Sequence, residues 1–194
     1  MKDKLFYKIV RPFINVLFKI LYRPKYIGLE NIPKKGRIIL AGNHTHNFDC
    51  ILLISSTKRQ IHFLAKDSLI KGWKKVIFNN MGIIPVNRSI KDHDALENGI
   101  KTLELDNVIG IFPEGTFNRT EDITLPFKFG AVKMAKETNS MIVPFTITGE
   151  FKLFRKSVKI HFLEPISIQN DLVKENEKLR KIVSNNLVKD REEL

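Results

Sequence analysis

Apolar and polar residues change their period several times along the chain, and each change marks an element. After a turn-rich connector, RPKYIGLENIPKKG, the run RIILAG is short and continuously apolar, the pattern of a buried strand, and it stops at Asn43. FDCILLISS continues as a buried helix. The alternation then recurs: QIHFLAK as a strand, SLIKGWKKVIFNNM as a helix, GIIPVNR as a strand and HDALENGIKTLEL as an amphipathic helix. VIGIFPEGT reads as strand and turn, GAVKMAKETN as a helix and MIVPFTITGE as a strand. KSVKIHFLEPISI adds one more strand, and the closing charged helix carries Leu172, Leu179, Ile182, Val183 and Leu187 on or near one face. This order predicts an α/β fold with a mixed, mostly parallel sheet flanked by helices, in which functional loops gather at strand ends.

The first residues, MKDKLFYKIVRPFINVLFKILY, follow a helical period of their own. At about 100° per residue, Lys4, Lys8, Arg11, Asn15 and Lys19 fall in an arc of about 80°, and Phe6, Ile9, Val10, Phe13, Leu17 and Ile20 cover the far side. Lys8, Arg11 and Lys19 interrupt the roughly 20 uncharged residues a membrane span requires, and no small-residue cleavage site follows, so the segment is expected to be neither threaded through a bilayer nor removed. A wide apolar face edged with lysine suits a helix lying among lipid headgroups; a helix docked on the domain's own core is the competing reading, but it has no need of so basic a stripe. Pro12 is expected to kink this helix or to start a second one. The division that follows is a basic amphipathic membrane-binding segment over residues 1–24 and one domain over residues 25–194.

Composition narrows the partners without choosing among them. Lys and Arg number 33 against 21 Asp and Glu, a formal net charge of +12, so the surface attracts phosphate, anionic lipid or an acidic protein. The absence of a glycine-rich or aromatic-interleaved basic run argues against nucleic acid. The single cysteine, Cys50, excludes an intramolecular disulfide.

Three strand-to-turn junctions carry polar residues that a packed core would not select: NHTHNFD, the end of GIIPVNR, and FPEGTFNRT. In one continuous helix Asp49 would lie about 140° around the axis from His44 and out of reach. His44 is therefore expected in the loop before the helix and Asp49 in its first turn, capped by Asn47 or a neighbour, so that the carboxylate accepts from Nδ1–H and leaves Nε2 free to take a proton. A protein nucleophile would have to be Cys50, Ser55 or Ser56, none on a strained nucleophile elbow. A metal held by His44, His46 and Asp49 lacks a further His or Cys cluster to complete it. The third reading is a hydroxyl brought by the substrate and deprotonated by His44. Arg88 presents a fork suited to phosphate, and Pro113 and Gly115 shape a tight turn that puts Glu114 beside backbone N–H groups able to hold an anion.

In combination these residues resemble the glycerophospholipid acyltransferases of the 1-acyl-sn-glycerol-3-phosphate type, whose four blocks are NHxxxxD, GxxxxxR, FPEGT and a final apolar VP block. Here they stand in order as NHTHNFD (residues 43–49), GIIPVNR (82–88), FPEGT (112–116) and IVPF (142–145), with FKFG (127–130) matching a further Lys-x-Gly element. The likeness covers about residues 27–168. It implies the glycerophospholipid acyltransferase fold for residues 25–194, and transfer of a fatty acyl chain from a coenzyme A or acyl carrier protein thioester to the sn-2 hydroxyl of lysophosphatidic acid, making phosphatidic acid. By resemblance His44 is the general base and Asp49 its orienting partner, while Arg88, Glu114, Gly115, Thr116 and Lys128 hold the acceptor phosphate. No metal, cofactor or covalent acyl-enzyme is implied; the expected partners are a phospholipid membrane, lysophosphatidic acid and the acyl donor, with the protein peripheral on the cytoplasmic face of the cell membrane. Two positions depart from the pattern. His46 stands where the family usually has serine and is expected to hydrogen-bond locally, as that serine does, in preference to assisting the site. Phe117 stands in place of the usual arginine, which makes Arg119 a candidate replacement and another lysophospholipid a candidate acceptor.

Overall fold

The computed structural model describes residues 4–66, 81–86 and 93–192. Its centre is a seven-stranded sheet in the order β1-β7-β6-β2-β5-β3-β4, formed by β1 (Lys25–Ile27), β2 (Ile38–Gly42), β3 (Ile61–Lys66), β4 (Ile84–Val86), β5 (Val108–Ile111), β6 (Met141–Gly149) and β7 (Val158–Phe162). Only the β6–β7 pair is antiparallel among these; the other neighbours run parallel. This is the mixed, mostly parallel sheet expected from the alternation of elements.

Both faces of the sheet are covered, which explains why β2 and β6 read as continuous apolar runs instead of alternating ones. Ile38 and Leu40 of β2 join Val143, Phe145 and Ile147 of β6 on the face covered by α1 (Lys4–Tyr22) and α2 (Asp49–Ser56). Ile39, Ala41 and Ile142 point the other way, into a cluster closed by α3 (His93–Glu104), α4 (Gly130–Thr138) and α5 (Leu172–Glu192). Leu179, Val183 and Leu187 supply the apolar stripe of α5, at the spacing a docked helix requires. At the end of β2, Gly42 has no room for a side chain, because a Cβ there would lie 2.3 Å from the Phe145 carbonyl oxygen. The chain can therefore stay close to β6 as it leaves the sheet.

Three expectations change. The connector at residues 23–36 contains a strand, β1, which is only three residues long and is held by parallel pairing to β7. No second helix starts at Pro12: α1 is one helix from Lys4 to Tyr22, with Tyr7 and Phe18, on either side of the proline, both buried in the core. The last strand ends at Phe162; beyond it Ile166 makes only an isolated bridge to Ile142. The helix expected at SLIKGWKKVIFNNM lies for the most part outside the described residues.

The orientation of α1 is the reverse of a helix that simply covers a core. Tyr7, Arg11, Ile14, Asn15, Phe18 and Tyr22 fall on one side of the helix, and this is the side turned inward: the Arg11 guanidinium donates to the Ile54 carbonyl at 3.3 Å, and the Tyr7 hydroxyl donates to the Arg59 carbonyl at 3.2 Å. The opposite side is apolar and faces out. Ile9, Phe13, Val16, Leu17 and Ile20 are each more than half exposed, Phe13 to 74%. Among the described residues no helix is long and apolar enough to cross a membrane.

Candidate active site

Strands β2 and β5 are parallel neighbours, so the loops leaving their carboxyl ends emerge side by side. One loop carries residues 43–48 and the other residues 112–118. Asn43 fixes the start of the first: its side-chain amide donates to the Ile147 carbonyl at 2.9 Å and accepts from the Ile147 N–H at 2.7 Å, replacing the pairing that the backbone gives up on leaving the sheet. Asn43 was not among the residues singled out from the sequence. Its place directly after an apolar strand and before His44 was the available signal.

His44 stands in the loop and Asp49 is the first residue of α2, as the spacing requires; Phe48, and not Asn47, is the capping position, and it makes no side-chain cap. The His44 Nδ1 lies 2.9 Å from Asp49 Oδ2. The same oxygen accepts the backbone N–H of Thr45 at 2.7 Å and of His46 at 2.8 Å, so the carboxylate organises the whole loop as well as the ring. Asp49 is fully buried, and its Oδ1 has no hydrogen-bond partner among the described residues. Its position at the amino end of α2 sets it against the positive end of the helix dipole. Because a carboxylate only accepts, Nδ1 carries the hydrogen, which leaves the Nε2 lone pair as the proton acceptor.

Aromatic rings hold the imidazole in place. Phe112 stacks on it with centroids 3.9 Å apart and planes 12° from parallel, and Phe117 leans on it at 4.3 Å. The His44 side chain keeps 17% of its surface open to solvent. The ring can therefore be reached, though it is gripped on its faces.

Glu114 is placed differently from the expectation. The resemblance implied that the Glu114–Gly115–Thr116 turn holds the acceptor phosphate, with Glu114 beside N–H groups able to hold an anion; the Glu114 carboxylate takes such N–H groups itself, Oε1 accepting the His44 backbone N–H at 3.0 Å and Oε2 the Leu125 N–H at 2.8 Å. Both oxygens are committed and the residue is buried, so it ties the two site loops together. Burial pushes its carboxyl above the usual range, and the two N–H donors and the nearby His44 only partly oppose this. A second link joins the loops where the Asn118 N–H donates to the His44 carbonyl at 3.0 Å.

Of the remaining candidates, Gly115 and Lys128 come together. Gly115 has φ +70, and a Cβ on it would lie 2.6 Å from Lys128 Nζ, so the ammonium lies directly across the turn. The Lys128 N–H donates to the Pro113 carbonyl at 2.8 Å, which holds its segment against the same turn. Thr116 and Arg119 are both exposed. Gly82 has φ +78 and packs against His62, while Arg88 lies outside the described residues. His46 makes the local bond expected of it, its Nδ1 accepting the Phe48 N–H at 3.2 Å, and its ring lies against Phe48 and Phe151.

The protein nucleophiles considered from the sequence are not disposed to act. Burial, with the Asp49 charge adding to it, pushes the Cys50 thiol up to about 12, far from thiolate chemistry. The Ser55 and Ser56 hydroxyls donate to the carbonyls of Leu52 and Leu53 within their own helix.

Comparison with known proteins places the chain among relatives of one kind. The family model described as Acyltransferase covers residues 23–148, a span that includes both site loops. A 1-acyl-sn-glycerol-3-phosphate acyltransferase from Borreliella burgdorferi is 38% identical over 173 residues, covering 84% of this chain and 69% of that one. The protein of the same name from Bacillus subtilis is 29% identical over 166 residues, covering 82% of each. The crystal structure of the 1-acyl-sn-glycerophosphate acyltransferase from Thermotoga maritima superposes with a TM-score of 0.76, covering 98% of this chain and 84% of that one at 21% identity, and so shares the fold. The chain belongs to the 1-acyl-sn-glycerol-3-phosphate acyltransferase family of glycerophospholipid acyltransferases.

Proposed function

We propose that the protein transfers a fatty acyl chain from a coenzyme A or acyl carrier protein thioester to the sn-2 hydroxyl of 1-acyl-sn-glycerol 3-phosphate, forming phosphatidic acid at a membrane surface. The observation that carries this reading is the bond from His44 Nδ1 to the buried Asp49 carboxylate, because it turns Nε2 into an oriented general base, while Cys50, Ser55 and Ser56, the protein nucleophiles considered among the described residues, are not disposed to act. Nε2 takes the proton of the acceptor hydroxyl as its oxygen attacks the thioester carbonyl carbon, and the carboxylate stabilises the imidazolium that results. When the tetrahedral species collapses, the C–S bond breaks and the thiol leaves with the proton returned from Nε2. The Lys128 ammonium over Gly115 supplies a cation for the acceptor phosphate beside the base. No group on the enzyme is acylated at any step.

The apolar side of α1 supports membrane association. Five large apolar side chains turned into water along one helix face are an unfavourable arrangement that a bilayer reverses, and Lys8, Lys19 and Arg23 stand ready to meet anionic headgroups. Both the lysophospholipid acceptor and the product reside there.

A second reading concerns the acceptor alone. Phe117 places an apolar ring 4.3 Å from His44 where the family pattern has a guanidinium, and this favours acceptors whose headgroup carries less charge at that point, such as lysophospholipid diesters. Mass spectrometry of the products formed from lysophosphatidic acid and from several lysophospholipids, each with both thioester donors, tests both readings. The proposed function expects phosphatidic acid as the principal product; selective acylation of a diester supports the second reading, and no acylation of any acceptor overturns both.

A further inference from the structure

The β6–β7 connection carries a second outward apolar element, distinct from α1. Between Gly149 and Val158 the chain reads EFKLFRKS, with two apolar residues at the tip set among Lys152, Arg155 and Lys156. Phe151 turns inward, packing on Phe18, Tyr22 and Phe48 at centroid distances of 6.1, 5.7 and 5.7 Å. Leu153 and Phe154 turn outward and are 56% and 62% exposed. Phe154 has φ +59, a conformation that bulky side chains rarely adopt. Among the described residues its ring stays largely open to solvent, and the N–H of Phe154 donates to the Leu21 carbonyl in the last turn of α1, which ties the loop to that helix.

The ring meets α1. Together with Val16, Lys19, Ile20 and Arg23 it lines a groove of about 520 Å³, with Val16, Ile20 and Phe154 as apolar walls and the two cations as polar lining. Val16 and Ile20 also belong to the exposed apolar row, so groove, loop tip and row form one continuous surface.

We propose that the loop at residues 151–156 is a second bilayer-inserting element, and that the groove it forms with α1 seats the phosphate headgroup of an anionic phospholipid. The inference rests on the membrane association proposed above and goes beyond it. Charge complementarity selects this occupant: Lys19, Arg23, Lys152, Arg155 and Lys156 surround the apolar tip, and Glu150, already paired with Lys152 at 2.8 Å, is the one acid in the connection. An acidic protein would answer the cations but leave the row from Ile9 to Ile20, about 16 Å long, in water. A bilayer covers both. Two points of insertion also fix an orientation that a single helix leaves free to roll, and the inner side of the loop reaches the active-site loop directly, since the Phe151 ring lies 5.0 Å from that of His46.

The test uses the full chain with its only tryptophan removed and one placed at the loop tip, Trp73→Phe with Phe154→Trp, mixed with vesicles of phosphatidylcholine and phosphatidylglycerol with or without brominated acyl chains. The emission should shift to shorter wavelength and be quenched by the brominated chains. Leu153→Ser with Phe154→Ser should lower vesicle partitioning about tenfold while transfer to detergent-dispersed acceptor is unchanged, and Lys19→Gln with Arg23→Gln should remove the preference for phosphatidylglycerol over pure phosphatidylcholine vesicles. Vesicle binding without quenching, and without loss in the serine variant, overturns the loop's role and leaves α1 as the anchor. Failure of the wild-type chain to bind vesicles overturns both readings, and capture of an acidic acyl carrier protein through Phe154 would then assign the surface to a protein partner.

Discussion

At the scale of single residues, the account depends on which way two carboxylates point. Asp49 and Glu114 are both buried, and both accept backbone N–H groups of the His44 loop, but only Asp49 touches the ring. Asp49→Asn keeps the shape and removes the charge that stabilises the imidazolium, so kcat should fall by about 10²–10⁴-fold with KM for either substrate little changed. A raised KM with kcat unchanged would place the residue in binding instead. Glu114→Gln leaves an amide that cannot accept both N–H groups, and should cost about 1–3 kcal/mol in urea unfolding together with a loss of activity from the displaced His44. Because burial raises the folded-state pKa of Glu114, its stabilising share is complete below the ordinary carboxylate range and is lost as pH rises through the raised value. The stability gap between wild type and the glutamine variant should therefore narrow as pH rises across that window. A gap that widens with pH would contradict the burial argument. The Asp49 contact was legible in the sequence because five residues across a helix start allow it. The direction of Glu114 was not, because a turn motif states that a carboxylate is present without stating which donors claim it.

At the scale of elements, α5 is joined to the sheet by a buried polar knot as well as by its leucine stripe. Asp190 accepts from Lys159 Nζ at 3.0 Å, from the Thr146 hydroxyl at 2.5 Å and from Asn186 at 2.7 Å, with His161 Nδ1 at 3.2 Å. Burial alone would raise its carboxyl, but the bonds from Thr146, Lys159 and His161 outweigh that and hold it below the usual range. The stability this contributes is present above the ordinary carboxylate value and lost as pH falls through the lowered one. Lys159→Met, which leaves the buried acid without its ammonium, should cost about 3–5 kcal/mol, and adding Asp190→Leu should restore part of it. Equal losses in the single and double variants would deny the pairing. Continuous apolar runs bounded by turns made β2, β5 and β6 readable, and the 3.6 period of its apolar stripe did the same for α5. They could not reveal β1, whose three residues are held by pairing with β7, more than 130 positions away. Nor could they show α1 continuing through Pro12, because the packing of Tyr7 and Phe18 on either side of it is a tertiary effect.

For the whole molecule, the two ends of the argument meet in one aromatic cluster. Phe18 and Tyr22 of α1 pack on Phe48, at centroid distances of 6.5 and 5.3 Å, and Phe48 immediately precedes Asp49. The surface proposed to lie in lipid is thus joined by direct ring contact to the loop that carries the base. Phe13→Ser with Leu17→Ser changes side chains that touch water in the free protein, so thermal stability in solution should stay within about 0.5 kcal/mol per site while vesicle co-sedimentation falls steeply. A large loss of stability with intact co-sedimentation would show that this face packs inside the protein. The central claim is that the imidazole of His44 removes the proton from a lipid hydroxyl. Its most direct test is the rate at which folded His44→Ala protein forms acylated product from lysophosphatidic acid and a thioester donor, followed by mass spectrometry with the fold verified by circular dichroism. The account expects that rate to fall at least about a thousandfold with the fold intact; transfer within a few-fold of the wild-type rate would contradict it.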